Sequence, residues 1–131
     1  MKSLIGSLAV LALIAVAASP AAGAEGTISR AQFTSAVLDR EPVDEITRID
    51  SSTGNVFFFT EFRNFEGTSA SHRWIYNGEV KFEIAFKIRG SRWRVYSQKT
   101  LPAEWLGDWK VEIVTENGTV LAAHNLIHSG S

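Results

Sequence analysis

The chain has 131 residues, with thirteen basic and fourteen acidic side chains and no cysteine. That length fits one folded domain, and the near-balance of charge argues against a nucleic-acid partner. Disulfides, thiolate catalysis and cysteine metal sites are excluded, so an apolar core has to supply the stability.

The N-terminal stretch has the layout of an export signal. Lys2 gives a positive start, residues 4–18 are apolar apart from Gly6 and Ser7, Pro20 breaks any helix, and Ala22-Gly23-Ala24 fits the small-x-small cleavage pattern. Cleavage after Ala24 is expected. Residues 1–24 are then a signal peptide and residues 25–131 a single exported domain, periplasmic or extracellular, with no stable membrane span left. The apolar run is shorter than the roughly 20 residues a span needs. An uncleaved segment would instead act as an anchor.

Residues 27–39 read two ways. Ala31, Phe33, Ser35 and Val37 alternate with Gln32, Thr34 and Ala36, as in a strand, while Ala31, Ala36, Val37 and Leu38 could line a short helix. Phe, Thr and Val favour the strand. Arg40-Glu41-Pro42-Val43-Asp44 is expected to turn, because Pro42 fixes its own φ and moves Glu41 away from helix. Residues 46–50 form a short extended piece, and residues 51–55 a loop.

Residues 56–63 form a strand whose unbroken apolar centre, residues 56–59, implies burial on both faces or a central place in a sheet. A loop covers residues 64–71. Residues 71–76 place His72, Trp74 and Tyr76 on one face, with Arg73 and Ile75 on the other. Asn77-Gly78 follows as a tight-hairpin signal, since both residues tolerate φ > 0. Residues 79–89 show a sustained alternation, with Val80, Phe82, Ile84, Phe86 and Ile88 facing one way and Lys81, Glu83, Ala85, Lys87 and Arg89 the other. Gly90-Ser91 turns the chain. Residues 92–99 put Trp93 and Val95 inward and Arg92, Arg94, Tyr96 and Gln98 outward. After a connection over residues 102–107, residues 108–115 place Trp109, Val111 and Ile113 inward and Lys110 and Glu112 outward. Asn117-Gly118 is expected to make a second tight hairpin, and residues 119–127 return as the last strand. About seven short strands with regular turn signals predict an all-β fold, an antiparallel immunoglobulin-like β-sandwich.

Four motifs carry a family likeness: Arg40-Glu41-Pro42-Val43-Asp44; His72-Arg73-Trp74-Ile75-Tyr76-Asn77-Gly78; the run from Ser91 through Trp93, Arg94, Tyr96 and Ser97 to Lys99; and Gly107-Asp108-Trp109-Lys110-Val111-Glu112. In that order the chain resembles the bacterial domain-of-unknown-function family 2914, over nearly all of residues 25–131. The resemblance implies an all-β, exported or membrane-attached domain. It brings no established activity and no catalytic residues.

Candidate chemistry is sparse. His124 and His128 are four apart, which on a strand separates them by roughly 13 Å, and no acidic neighbour completes a zinc site. No metal or cofactor is expected. His72 could be a catalytic base with Ser97 or Ser91 as nucleophile and Asp108 or Glu104 as orienting carboxylate, but neither serine sits in a nucleophile elbow. The stronger candidate is a basic-aromatic stripe. Arg92, Arg94 and Tyr96 share a strand face, Lys110 is expected on an adjacent strand, and Arg73 or Lys87 nearby. Such a surface grips anionic or planar groups, though cross-strand ladders of Arg, Glu and Tyr also decorate exposed sheets without any ligand. The charge is also uneven along the chain, which an ordinary solvated surface explains more readily than a functional patch. Residues 25–67 carry four arginines and eight acidic residues, and residues 68–115 carry eight basic and five acidic. Trp105, in a connection, is either an exposed stacking platform or a folded-back lid. Asn117-Gly118-Thr119 matches a glycosylation sequon but coincides with the expected turn.

The expected function is therefore a non-catalytic exported binding module. Arg73, Arg92, Arg94, Tyr96, Trp105 and Lys110 would contact a protein or polymer partner. The alternatives are a carbohydrate-binding domain, with Trp105 and Tyr96 stacking on sugar rings, and a small hydrolase using His72.

Overall fold

Alternating large apolar and polar side chains carry the chain through seven long strands and three two-residue ones, as a computed structural model describes for residues 26–130. The expected signal peptide, residues 1–24, lies outside the described residues. The strands are β1 (Thr27–Thr34), β2 (Val37–Leu38), β3 (Glu41–Pro42), β4 (Arg48–Ile49), β5 (Val56–Arg63), β6 (Ser69–Tyr76), β7 (Glu79–Lys87), β8 (Arg92–Lys99), β9 (Gly107–Thr115) and β10 (Val120–His128). The described residues contain no helix.

A three-stranded sheet runs β1-β5-β8, a five-stranded sheet runs β4-β10-β9-β6-β7, and β2-β3 form a small hairpin. All pairings are antiparallel except β4 with β10. The expected all-β sandwich is present. Its seven long strands divide first-second-fifth and fourth-third-sixth-seventh. An immunoglobulin constant-type domain keeps its fourth strand beside the fifth, whereas here the fourth, β7, pairs with the third, β6.

The inner faces meet in a dry core. Phe33, Phe58 and Phe62 come from the three-stranded sheet; Trp74, Trp109, Val111, Ile113 and Leu126 come from the five-stranded one. Phe33 packs edge-on against Phe58 at 4.9 Å and against Trp74 at 6.0 Å. Burying each such side chain contributes about 1.5–3 kcal/mol, and these rings carry the disulfide-free interior. Trp93 and Val95 face inward from β8 and Trp109, Val111 and Ile113 from β9, as their spacing predicts.

Four local expectations change. The turn near Pro42 is centred earlier. Asp39 (φ 52°) and Arg40 (φ 63°) form the tip of the β2-β3 hairpin, and Glu41–Pro42 is already strand. In β7 a bulge opposite Trp74 and Ile75 makes Lys81 the extra residue. Val80 therefore pairs with Ile75, on the outer face, and is 50% exposed, while Phe82 opposes Trp74 on the inner face. Asn77-Gly78 is the two-residue turn expected, with both φ angles positive. Asn117-Gly118 is a different one: Gly118 N–H closes a turn onto the Thr115 carbonyl at 2.9 Å, and only Gly118 of the pair takes positive φ, at 91°. This is a type I turn followed by a left-handed glycine, the usual three-residue hairpin. Finally, the last strand runs one residue beyond 127, to His128. That residue pairs opposite Gly107 and is buried.

Candidate functional site

β5 is central in its sheet, so the pleat sends Phe57, Phe59, Glu61 and Arg63 to the outer face. Phe59 and Glu61 are nonetheless buried, because the β2-β3 hairpin and long arginine side chains cover them. Arg30 of β1 lies over the Phe59 ring at 5.0 Å. It grips Glu41 of the hairpin with two hydrogen bonds, Nη1 to Oε1 at 2.7 Å and Nη2 to Oε2 at 3.0 Å, and donates Nε to Glu61 Oε1 at 3.1 Å. Glu61 also accepts from Arg63 Nε at 2.8 Å and Arg92 Nε at 3.2 Å. Arg94 donates to the Glu41 carboxylate and to the Arg40 carbonyl, the latter at 3.3 Å.

Four guanidiniums thus share two carboxylates, leaving a local excess of positive charge. Burial pushes the Glu61 carboxyl up, but hydrogen bonds from Arg30, Arg92 and Arg63 outweigh it and hold the group at about 2. Hydrogen bonds from Arg30 and Arg94 bring Glu41 down to about 2 as well. Arg30 is raised in turn by its bonds to Glu41 and Glu61. The network pins the hairpin onto the sheet through charge-assisted, partly two-pronged bonds.

Beside it, along the outer edge of β8, lies a cavity of about 290 Å³ lined by Arg40, Phe59, Phe86, Trp93, Arg94 and Tyr96, with Val95. Tyr96 is 47% exposed and packs on Phe57 with ring centroids 5.9 Å apart. Arg40 is exposed and makes no ion pair among the described residues.

The six residues singled out from the sequence do not form one surface. Arg92, Arg94 and Tyr96 stand together on the outer face of the three-stranded sheet. Arg73 and Lys110 stand on the outer face of the five-stranded sheet, where Arg73 reaches Glu83 and Glu112 at 3.7 Å each and Lys110 reaches Glu112 at 3.5 Å. That is a cross-strand ladder, set by the pairing of Arg73 with both glutamates. The expected neighbourhood of Lys110 and Arg73 to the β8 stripe fails because β8 joins β5, and not β6 or β9.

Trp105 is a folded-back lid. It stacks on Tyr76 at 5.4 Å and Trp109 at 5.9 Å, under the ammonium of Lys81 at 4.7 Å. The Trp109 indole N–H donates to the Trp105 carbonyl and the Tyr76 hydroxyl to the Leu106 carbonyl. The bulge that turns Val80 outward is what delivers Lys81 to this stack, a frequent use of bulges. Trp105, in the β8–β9 connection, packs on the five-stranded sheet, whereas Tyr96 belongs to the three-stranded one.

His72 and Ser97 do meet. His72 Nδ1 lies 2.7 Å from Ser97 Oγ, its Nε2 lies 2.9 Å from Thr60 Oγ1, and the Trp74 indole N–H donates to Ser97 Oγ at 2.9 Å. No carboxylate joins this set, and all four side chains are buried. Phe58 and Phe86 press edge-on against the imidazole at 5.0 and 4.9 Å. Burial lowers the histidine to about 3. This is a buried polar tie between the sheets.

Sequence reasoning missed Arg40, Arg30, Glu41 and Glu61 as members of the site. The outward register of Glu61 and Arg63 could be read from β5, but the hairpin that folds over them leaves no local signal.

Residues 68–126 match the family model described as Protein of unknown function (DUF2914), which supports the family read from the motifs. The matched stretch covers β6 to β9 and most of β10. It leaves out the Arg40-Glu41-Pro42-Val43-Asp44 piece, so the likeness is narrower than the motifs suggested. No match was found among curated proteins.

Proposed function

We propose, starting from a chain whose residues 68–126 carry the DUF2914 domain, that the protein is a non-catalytic interaction module. It binds an anionic group of a partner at the cavity between Arg40, Arg94 and Tyr96. The observation that carries this reading is the pairing of an exposed arginine, free of any ion pair among the described residues, with a half-exposed tyrosine over an aromatic floor. Arginine supplies the planar, charge-assisted donors and the ring supplies apolar area at low entropic cost. The family model brings no assigned activity. The reading includes export to the periplasm or cell exterior, supported by Lys2, the apolar residues 4–18 and Ala22-Gly23-Ala24.

The structural duty of Arg92 and Arg94 decides how to test it. Replacing either would loosen the carboxylate network, so the informative change is Arg40→Ala with Tyr96→Ala. Immobilised wild-type protein should retain partners from an envelope extract that the double variant loses, with the unfolding midpoints of the two proteins within a few degrees. Equal retention by both would remove the reading.

A further inference from the structure

Sandwich edges are normally blunted, because an unpaired row of N–H and C=O groups invites another strand. Three of the four long strands at sheet margins carry such a device. β1 has a register shift between Ile28 and Arg30, β7 has the Lys81 bulge, and β10 shifts between Val120 and Ala122 and is covered at its end by β4. β8 has none. It pairs with β5 without interruption from Arg92 to Lys99, and among the described residues nothing pairs with its other side.

The ladder shows which groups face outward. The Asn64 N–H donates to the Ser91 carbonyl at 2.7 Å, so that facing pair is a hydrogen-bonded one. Antiparallel pairs alternate, so Trp93, Val95, Ser97 and Lys99 bond to β5. Arg92, Arg94, Tyr96 and Gln98 direct their backbone N–H and C=O away from it. We propose that this free edge is a strand-addition site, at which an extended protein segment of alternating apolar and acidic residues pairs with β8 as a fourth strand of its sheet. The inference rests on the anion-binding reading of the neighbouring cavity.

The side-chain environment selects that partner. An added strand sends alternate residues to opposite faces. Inward ones meet Phe86, Trp93 and Val95, an apolar wall in the seam between the sheets; outward ones meet Arg40, Arg94 and Tyr96. Main-chain bonds then give affinity and the two kinds of pocket give specificity. A second copy of β8 is disfavoured, because the strand carries Arg92, Arg94 and Lys99 and no acidic residue, so two copies would bring like charge together.

The test uses the full-length protein with two eight-residue peptides, one alternating valine and glutamate, the other valine and lysine. The first should bind and slow amide hydrogen exchange at Arg94 and Tyr96; the second should bind more weakly. Gln98→Pro removes an outward N–H without breaking a bond to β5 and should weaken binding about tenfold, the loss of one or two hydrogen bonds. Absence of binding by the glutamate peptide overturns the proposal. So does binding with no amide protection and no response to Gln98→Pro, which would leave only the cavity. Equal binding of the two peptides overturns the acidic partner. If Arg40→Ala with Tyr96→Ala leaves glutamate-peptide binding and amide protection intact, the cavity reading fails while the edge stands.

Discussion

His72 shows how one side chain can be legible in position and illegible in role. Its inward register follows from Trp74 and Tyr76 beside it. Its partners, Ser97 and Thr60, come from the other sheet, and no spacing rule in the sequence links residues 60, 72 and 97. The hydrogen bonds also explain its low pKa in a second way. With a neutral ring, Thr60 and Ser97 hydroxyls can serve one as donor and one as acceptor. A protonated ring would donate to both and strand both hydroxyl protons, in a site that already penalises charge. Because the folded value, about 3, lies below the ordinary value of 6.5, the unfolded chain binds the proton first as pH falls. Stability from this group is whole above about 6.5 and is lost downward toward 3. Between pH 7 and pH 5 the loss should be about 2 kcal/mol. The stability that Glu41 and Glu61 contribute is whole above about 4.5 and is lost only as pH falls from there toward 2, below this window, since both are lowered to about 2. Urea denaturation at the two pH values should show the drop in the wild type and a flatter response in His72→Gln. A slope that survives the substitution would assign the effect elsewhere.

Among the strands, β8 and β9 were readable almost residue by residue, because each alternates cleanly and carries no bulge across the register that matters. β7 was not. Its alternation runs unbroken from Val80 to Ile88 in the sequence, yet one inserted residue at Lys81 reverses the face of everything before it. Periodicity reports spacing along a strand and is blind to the partner's count. The β2-β3 hairpin was shifted for a related reason. Asp39 and Arg40 hold positive φ without a glycine, so the usual turn residue is missing. The reversal in β7 has a measurable result. Val80→Thr, on the exposed face, should change stability by no more than about 0.5 kcal/mol. Phe82→Ala, facing Trp74 and lying under the Lys99 ammonium at 3.7 Å, should cost about 3 kcal/mol. Chemical denaturation of the two variants decides it, and similar losses would contradict the bulge.

For the molecule as a whole, fold class was legible and the location of the site was not. Strand count and turn spacing suffice to predict a sandwich. Which outward faces share a sheet depends on topology, and the β8 arginines were therefore grouped with Lys110 and Arg73 on the wrong side. The same topology separates the family match from the folding unit. Residues 68–126 contain β8 but not β5, its one strand neighbour among the described residues. Expressed as a fragment, that stretch should lack a stable β-sheet spectrum by circular dichroism, whereas residues 26–130 should have one. Neighbours far apart in the chain also set a clock. The Ser129 hydroxyl donates to the Ile49 carbonyl across 80 positions, beside the parallel β4-β10 clasp. On the ribosome, at about 5–20 residues per second, β4 emerges roughly 4–16 s before the strand it fastens to. Through that interval the sheet opposite the aromatic run of β5 is incomplete, so those large side chains are not yet fully sealed from water on the nascent chain.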